Sequence, residues 1–112
     1  MRKIIAVAVA SVCAFALPSE GSSTMLTSWY GSYFHGRTTA NGETYNMYGH
    51  TAAHKTLPFG TVLEVCYHGC TTVRINDRGP FIGSRELDLS YGAAQAVGLV
   101  APGVANVEVS YL

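Results

Sequence analysis

The sequence predicts a small, mainly β protein in which six short strands close into a barrel, with one short helix. The chain has 112 residues, 48% hydrophobic and 12% charged, which is too apolar for a disordered chain. Its 12 Gly, 4 Pro and 7 Tyr are typical of short strands joined by many turns. Closure of the sheet suits so small a domain because it removes exposed strand edges.

The N-terminus predicts an exported protein. Arg2 and Lys3 precede an apolar run from Ile4 to Leu17, and Ala14-Phe15-Ala16 places small residues where signal peptidase cleaves. We predict a signal peptide over residues 1–16, a linker over 17–24 and one domain over 25–112. An uncleaved membrane anchor is the alternative, but the apolar run is shorter than the roughly 20 residues that a membrane span needs.

The three cysteines divide into a lone Cys13 and a close pair. Cys13 lies in the leader and directly follows Val12, which fits a lipoprotein signal poorly, so we disfavour a lipid anchor. Cys66 and Cys70 flank a short Gly-containing loop, and in an exported domain this pair predicts a disulfide contributing about 2 kcal/mol. The alternative is a metal site with His68, but zinc usually needs a second pair of ligands. We therefore expect no metal.

The first strand is predicted over residues 25–30, Met-Leu-Thr-Ser-Trp-Tyr, which is rich in β-forming residues. A Gly- and Asn-rich loop follows from 31 to 49, and a loop this long in a compact domain is usually functional. A second strand is predicted over 51–54. The turn at 57–60 then leads into a third strand over 61–67.

The fourth strand is predicted over residues 71–75, and Asn76-Asp77-Arg78-Gly79-Pro80 is a concentrated turn signal. A fifth short strand is predicted over 86–89. Ser90 is a good N-cap for a helix whose small apolar face ends at Gly98. The last strand is predicted over 104–111.

The balance of charge excludes some functions. Lys plus Arg is 7 and Asp plus Glu is 7, so the formal net charge is zero. Without a basic surface to hold a phosphate backbone, we expect no nucleic-acid partner. The sequence also contains no Gly-x-Gly-x-x-Gly or P-loop pattern, so we expect no nucleotide cofactor, and indeed no cofactor of any kind.

Four acidic or imidazole groups are candidates for chemistry. Glu43 lies in the long loop beside Tyr45, His54 follows a strand of small residues, and Asp77 lies at a strand end. Each also has a structural explanation: an exposed turn, a hydrogen-bonded histidine and a turn cap, respectively. Asp88 lies between two Leu residues that should face the opposite side of their strand, and we favour a structural role for it.

These groups suit chemistry on a sugar bond. Cleavage needs a proton donor for the leaving oxygen, and hydrolysis also needs a second carboxylate. A lytic transglycosylase needs less, because the sugar's own hydroxyl attacks and no water is consumed. Flat aromatic side chains could bind sugar rings or could instead pack the barrel. They are Trp29, Tyr30, Tyr33, Phe34, Tyr45 and Phe81.

Five segments in order resemble the rare lipoprotein A (RlpA) family. They are Ser28-Trp29-Tyr30-Gly31, His35-Gly36-Arg37-Thr38-Thr39-Ala40-Asn41-Gly42-Glu43, Thr51-Ala52-Ala53-His54-Lys55-Thr56-Leu57-Pro58-Phe59-Gly60-Thr61, Val73-Arg74-Ile75-Asn76-Asp77-Arg78-Gly79-Pro80-Phe81 and Leu87-Asp88-Leu89-Ser90. The resemblance runs from about Thr27 to Leu112. It implies a six-stranded double-psi β-barrel, the fold of expansins, barwin-like proteins and family 45 endoglucanases.

The resemblance also implies an activity. The family cleaves peptidoglycan glycan strands lytically, prefers strands without stem peptides and forms 1,6-anhydro-muramic ends. Glu43, His54 and Asp77 match the family's active-site positions, with Asp77 as the principal acid/base and the other two supporting it. Asp88 matches a further family motif, which we interpret as structural or secondary. We expect substrate contacts from Trp29, Tyr30, Tyr45, Arg78 and Phe81.

Two other functions remain open from the sequence. One is an expansin-like module that binds or loosens wall polysaccharide without cleaving it, and the other is a secreted defence or inhibitor domain of barwin type. A fold alone does not decide between them. In each case we expect an exported monomer, periplasmic or extracellular. Under the leading hypothesis its partner is the glycan strand of peptidoglycan.

Overall fold

The computed structural model describes residues 22–112, so the predicted leader, its cleavage site and Cys13 lie outside the described residues. This part of the chain forms six strands and one helix. They are β1 (Ser23–Tyr30), β2 (Thr51–His54), β3 (Val62–Cys66), β4 (Cys70–Asp77), β5 (Leu87–Ser90), α1 (Tyr91–Val97) and β6 (Ala105–Tyr111). Within this range no helix is long and apolar enough to cross a membrane.

The six strands close into a barrel in the order β1-β5-β2-β4-β3-β6, with β6 returning to pair with β1. The pairs β1/β5 and β2/β4 are parallel, and the remaining neighbours are antiparallel. The predicted closed barrel of six strands with one short helix is confirmed. Strand β1 begins at Ser23, inside the predicted linker, because Ser23 already pairs with Val109 of β6.

Alternating apolar side chains fill the barrel. Leu63 and Val65 of β3, and Leu87 and Leu89 of β5, are fully buried. The residues between them on each strand are more exposed, which is the period-two pattern of a sheet with one buried face. Asp88 therefore lies on the outer face of β5, as the sequence predicted.

The helix is short because its two caps enclose only seven residues. The Ser90 hydroxyl accepts the backbone N–H of Ala93, and Gly98 ends the helix in the left-handed region at φ 84°. Gly92 allows the long loop to approach, because a Cβ there would lie 2.6 Å from the carbonyl oxygen of Tyr48. The loop over residues 31–49 is thus packed against the barrel.

The predicted disulfide is present. Cys66 and Cys70 are directly opposite each other in the β3/β4 pair, and their sulfurs are bonded. Glu64 brings a carboxylate close to both sulfurs. Since thiolates and not disulfide sulfurs ligate metal ions, the two cysteines fix the hairpin and do not form the alternative metal site.

Candidate active site

An open cleft of about 510 Å³ crosses the outside of the barrel. Its lining comes from the end of β1 and the segment after it, from β2, from the end of β4 with the loop that follows it, and from β5. The polar members of the lining are Asp77, Arg78, Arg85 and Asp88, and the aromatic ones are Trp29, Tyr30, Tyr33, Phe34 and Phe81. Such a cleft, apolar with a few convergent polar groups, is typical of a ligand site.

Strand pairing brings two carboxylates into one row of the sheet. Ala53 of β2 is in register with Asp77 on one side and with Asp88 on the other. Neighbouring strands lie about 4.8 Å apart, so the two aspartate backbones are separated by roughly 9–10 Å. All three residues line the cleft. Because the residue between the carboxylates is only an alanine, space for a ligand remains above it.

A β-bulge sets the position of Asp77. The register of β2 against β4 shifts between Ala52 and Ala53, which pair with Ile75 and Asp77, so Asn76 is the extra residue. A bulge bends its strand and redirects the side chain that follows. Here it carries Asp77 to the end of β4, at the cleft.

Asp77 accepts three hydrogen bonds. Its Oδ1 accepts the backbone N–H groups of Ala40 and Arg78, each at 2.9 Å, and its Oδ2 accepts the hydroxyl of Tyr30 at 3.2 Å. An acceptor with several converging donors is held in one orientation. Burial and the nearby Asp77 charge raise the pKa of Tyr30, so its hydroxyl remains a donor.

Asp88 has the opposite environment. Burial raises its pKa from 3.8 to about 6, against the lowering effects of the Ser28 hydrogen bond and of Arg85. The Ser28 hydroxyl donates to Oδ1 at 2.9 Å. The Asp77 charge raises the pKa of Asp88 further. Two carboxyl groups with opposed environments in one cleft are the arrangement expected of an acid and a base.

Exposed apolar side chains border the cleft on both sides. Tyr33 and Phe34 follow β1 and are 70% and 44% exposed, and Phe81 and Ile82 follow β4 and are 77% and 61% exposed. A cluster of large apolar groups in water is unusual on a monomer and generally marks a binding surface. Tyr33 and Phe34 meet edge to face, with centroids 5.0 Å apart.

Glu43 lies outside the cleft lining and is tied to β4. Both guanidinium Nη atoms of Arg74 donate to its carboxylate, and Asn76 and Asn41 each donate a further hydrogen bond at 3.0 Å. These hydrogen bonds, that of Arg74 above all, lower the pKa of Glu43 to about 2. The same loop provides the Ala40 N–H that binds Asp77, so Glu43 anchors a segment that contacts the site.

His54 also lies outside the cleft lining. Its Nδ1 accepts the backbone N–H groups of Thr56 and Leu57, each at 3.1 Å, so the ring proton is on Nε2. Burial lowers its pKa, despite an opposing effect of Glu86. The ring caps the turn after β2, while its backbone carbonyl accepts from Arg78 at 3.2 Å.

The predicted substrate-binding residues divide into two groups. Trp29, Tyr30, Arg78 and Phe81 line the cleft. Tyr45 is only 1% exposed, and this corrects the expectation that it touches substrate. It supports the cleft instead: its ring stacks on Tyr30 at 4.4 Å and its hydroxyl donates to the Tyr30 carbonyl.

The sequence predicted a structural or secondary role for Asp88 and did not single out Ala53 or Arg85. The Leu-Asp-Leu alternation did show that Asp88 faces away from the core. What it could not show is that β5 pairs with β2 and thereby brings Asp88 level with Asp77.

Residues 22–109 match the protein family described as "Lytic transglycolase". The chain is 52% identical over 90 residues to an endolytic peptidoglycan transglycosylase RlpA of Helicobacter pylori strain J99, covering 78% of this chain and 29% of that protein. It is 58% identical over 85 residues to a probable endolytic peptidoglycan transglycosylase RlpA of Synechocystis, covering 73% and 26%. The chain thus spans less than a third of these relatives.

Solved structures with little sequence similarity share the fold. A Streptomyces papain inhibitor superposes with a TM-score of 0.66 at 20% identity, covering 87% of this chain and 99% of that one. An expansin of Clavibacter michiganensis superposes with a TM-score of 0.65 at 20% identity, covering 81% and 50%.

Proposed function

This chain belongs to the lytic transglycolase family, with the RlpA proteins among its relatives and a double-psi β-barrel as its fold, and from this premise we propose that it cleaves peptidoglycan glycan strands lytically. The observation that carries the proposal is the row Asp77–Ala53–Asp88 on the floor of an aromatic cleft. Since peptidoglycan lies outside the cytoplasm, the proposal requires export.

In the proposed reaction, Asp88 donates a proton to the glycosidic oxygen while the bond from that oxygen to C1 of the muramic sugar breaks. The pKa of about 6 leaves about a tenth of Asp88 protonated at pH 7 and about half at pH 6. The C6 hydroxyl of the same sugar then attacks C1, and Asp77 takes its proton. The products are a new chain end with a free hydroxyl and a 1,6-anhydro-muramic end, and no water is consumed.

Asp77 thus keeps the acid/base role that the sequence suggested, now shared with Asp88. Its three hydrogen bonds fix the orientation of the carboxylate, and a proton acceptor must be positioned in this way. Glu43 is a poor proton donor at neutral pH because its pKa is about 2. We therefore propose that Glu43 and His54 position the loops around the cleft and do not transfer protons.

The apolar walls would hold the glycan. Sugar rings present flat faces of C–H groups that pack against aromatic rings, and Phe81, Tyr33 and Phe34 all line the cleft. The same walls also suit the second candidate, an expansin-like module that binds wall polysaccharide without cleaving it. The shared fold with an expansin favours that candidate only at the level of fold.

The experiment is digestion of purified peptidoglycan, with and without stem peptides, by the exported domain and by its Asp77→Asn variant. Fragments are analysed by mass spectrometry in ordinary and in heavy-oxygen water. The proposal expects anhydro ends without incorporated heavy oxygen, and only from the native protein. Incorporation of heavy oxygen would show hydrolysis instead. Retention on the wall without any fragments would favour the binding module.

A further inference from the structure

The two arginines of the cleft differ in the number of hydrogen bonds that their side chains donate within the protein. Arg78 donates from Nη1 to the carbonyls of His54 and Asp77, and its guanidinium lies 3.9 Å from the centre of the Phe59 ring. Arg85 also lines the cleft, but within residues 22–112 its side chain donates no hydrogen bond and forms no ion pair. Arg85 is therefore the cation whose donors are free to meet a ligand.

The backbone around Arg85 is fixed although its side chain is free. Lys55 donates from Nζ to the Arg85 carbonyl at 2.9 Å. The next residue, Glu86, is bound to β1, since its backbone N–H donates to the Leu26 carbonyl at 2.8 Å and its carboxylate accepts the Leu26 N–H at 3.1 Å. Because the Glu86 carboxylate is bound to β1, it forms no ion pair with the Arg85 guanidinium.

We propose that Arg85 determines specificity by binding the free lactyl carboxylate of a muramic sugar in the cleft. The inference rests on the proposed function and assigns a recognition residue to the same site. A guanidinium matches a carboxylate with two parallel N–H···O bonds, and no other common wall-sugar substituent offers that anionic pair of oxygens. When a stem peptide is attached, the lactyl group is an amide, which is neutral and cannot form this charged pair.

The position of Arg85 suits this role. The reacting C1 and the lactyl substituent belong to the same sugar, and Arg85 precedes the proposed acid Asp88 by three residues in the chain. The two are close enough for the Arg85 charge to lower the pKa of Asp88. A purely electrostatic role of Arg85 on Asp88 is the alternative, and it would affect every substrate equally.

The test compares two forms of the same substrate. Glycan strands without stem peptides are used as free carboxylates, or after carbodiimide coupling to methylamine, which turns each lactyl carboxylate into a neutral amide. The native domain, Arg85→Gln and Arg85→Lys are compared, with Arg37→Gln as a matched control. The Arg37→Gln variant loses the same charge, but the Arg37 guanidinium lies over the Tyr33 ring, 4.3 Å from its centre, and does not line the cleft. Kd and kcat/KM are measured separately.

A hydrogen-bonded charge pair is worth about 1.5–3 kcal/mol, so the native domain should prefer the carboxylate form by about tenfold to a hundredfold. Arg85→Gln should reduce this preference to about twofold or less, Arg85→Lys should keep part of it, and Arg37→Gln should keep all of it. The inference is overturned if native protein shows no preference, or if Arg85→Gln slows both substrates alike and keeps the preference. If neither form is cleaved, a binding preference that depends on Arg85 still supports the inference, while the proposed function fails.

Discussion

Asp77 and Asp88 lie on either side of Ala53, each in register with it across strand β2. They come from different strands, and their environments differ in kind. Asp77 accepts hydrogen bonds from two backbone N–H groups and a phenol, whereas the half-buried Asp88 accepts one from a hydroxyl. The barrel therefore places in one row a carboxyl group fixed by three hydrogen bonds and a carboxyl group whose pKa is raised.

Replacing either aspartate by asparagine should abolish turnover without unfolding the domain. Proton transfer by a positioned group contributes about 10²–10⁴-fold, so Asp77→Asn and Asp88→Asn should each lower kcat by that order. Asparagine keeps the size of the side chain and one acceptor oxygen. Release of anhydro-ended fragments measures the loss, and retention of the variants on peptidoglycan is the control. Near-native turnover by either variant would remove that residue from the proposed mechanism.

The raised pKa of Asp88 predicts that activity and stability both fall as pH rises through about 6. Its protonated form is the donor, so kcat should fall about tenfold per pH unit above a value near 6. The folded-state pKa exceeds the ordinary 3.8, so between these values the folded protein binds more protons than the unfolded chain. Stability due to this group is therefore present below pH 4 and is lost as pH rises through 6.

It follows that Asp88→Asn should stabilise the domain at pH 7 by about 3 kcal/mol, because each unit of the shift in the Asp88 pKa from 3.8 to about 6 corresponds to about 1.4 kcal/mol. The hydroxyl of Ser28 can still donate to the amide oxygen. Thermal unfolding at pH 7 and pH 4 measures the effect, which should nearly vanish at the lower pH. A variant less stable than the native domain at pH 7 would contradict the assignment of a buried, charged Asp88.

Glu43 should behave as a positioning residue. A glutamine can accept from Arg74 and Asn76 but cannot transfer a proton, so Glu43→Gln should keep kcat within about tenfold. Glu43→Ala frees the loop that donates the Ala40 N–H to Asp77, and should cost about 10²-fold. The readout is the ratio of the two variants' kcat values. Equal and severe losses would instead indicate that Glu43 acts as an acid or base.

Much of the barrel could be predicted from local sequence patterns. The strand over 51–54 and the helix between Ser90 and Gly98 were predicted closely, because alternation and capping are local. Strand β4 was predicted to end at residue 75, but it continues to Asp77 through the bulge at Asn76. That extension depends on pairing with β2, which is distant in sequence and leaves no local signal.

The site was harder to predict for the same reason. Glu43, His54 and Asp77 were selected from loop positions and family motifs, but only Asp77 of the three lines the cleft. Whether Glu43 donates protons depends on Arg74, which lies 31 residues away along the chain. Such long-range pairings decide the charge state of a group, and a linear pattern does not contain them.

The disulfide should stabilise the hairpin without affecting the site. The double substitution Cys66→Ser and Cys70→Ser opens a ring of only five residues, so the loss in free energy of unfolding should be about 2 kcal/mol. Neither cysteine lines the cleft. Thermal unfolding with and without reductant measures the first effect, and fragment release at a temperature where both forms are folded measures the second. A large loss of activity at that temperature would show that the hairpin affects the structure of the cleft.

His54 should make the fold sensitive to acid, and the effect can be isolated with His54→Asn. Its folded-state pKa lies below the ordinary 6.5, so as pH falls through 6.5 the unfolded chain gains a proton before the folded protein does. Stability due to neutral His54 is therefore present above pH 6.5 and is lost as pH falls toward the lowered value.

An asparagine amide oxygen can replace Nδ1 as acceptor for Thr56 and Leu57 but does not titrate. We expect the variant to match the native Tm at pH 8 and to exceed it increasingly from pH 6.5 to pH 5. Because Asp88 titrates in both proteins, its contribution cancels in the difference. A Tm difference that is constant over this range would show that burial does not keep the ring neutral in the folded protein.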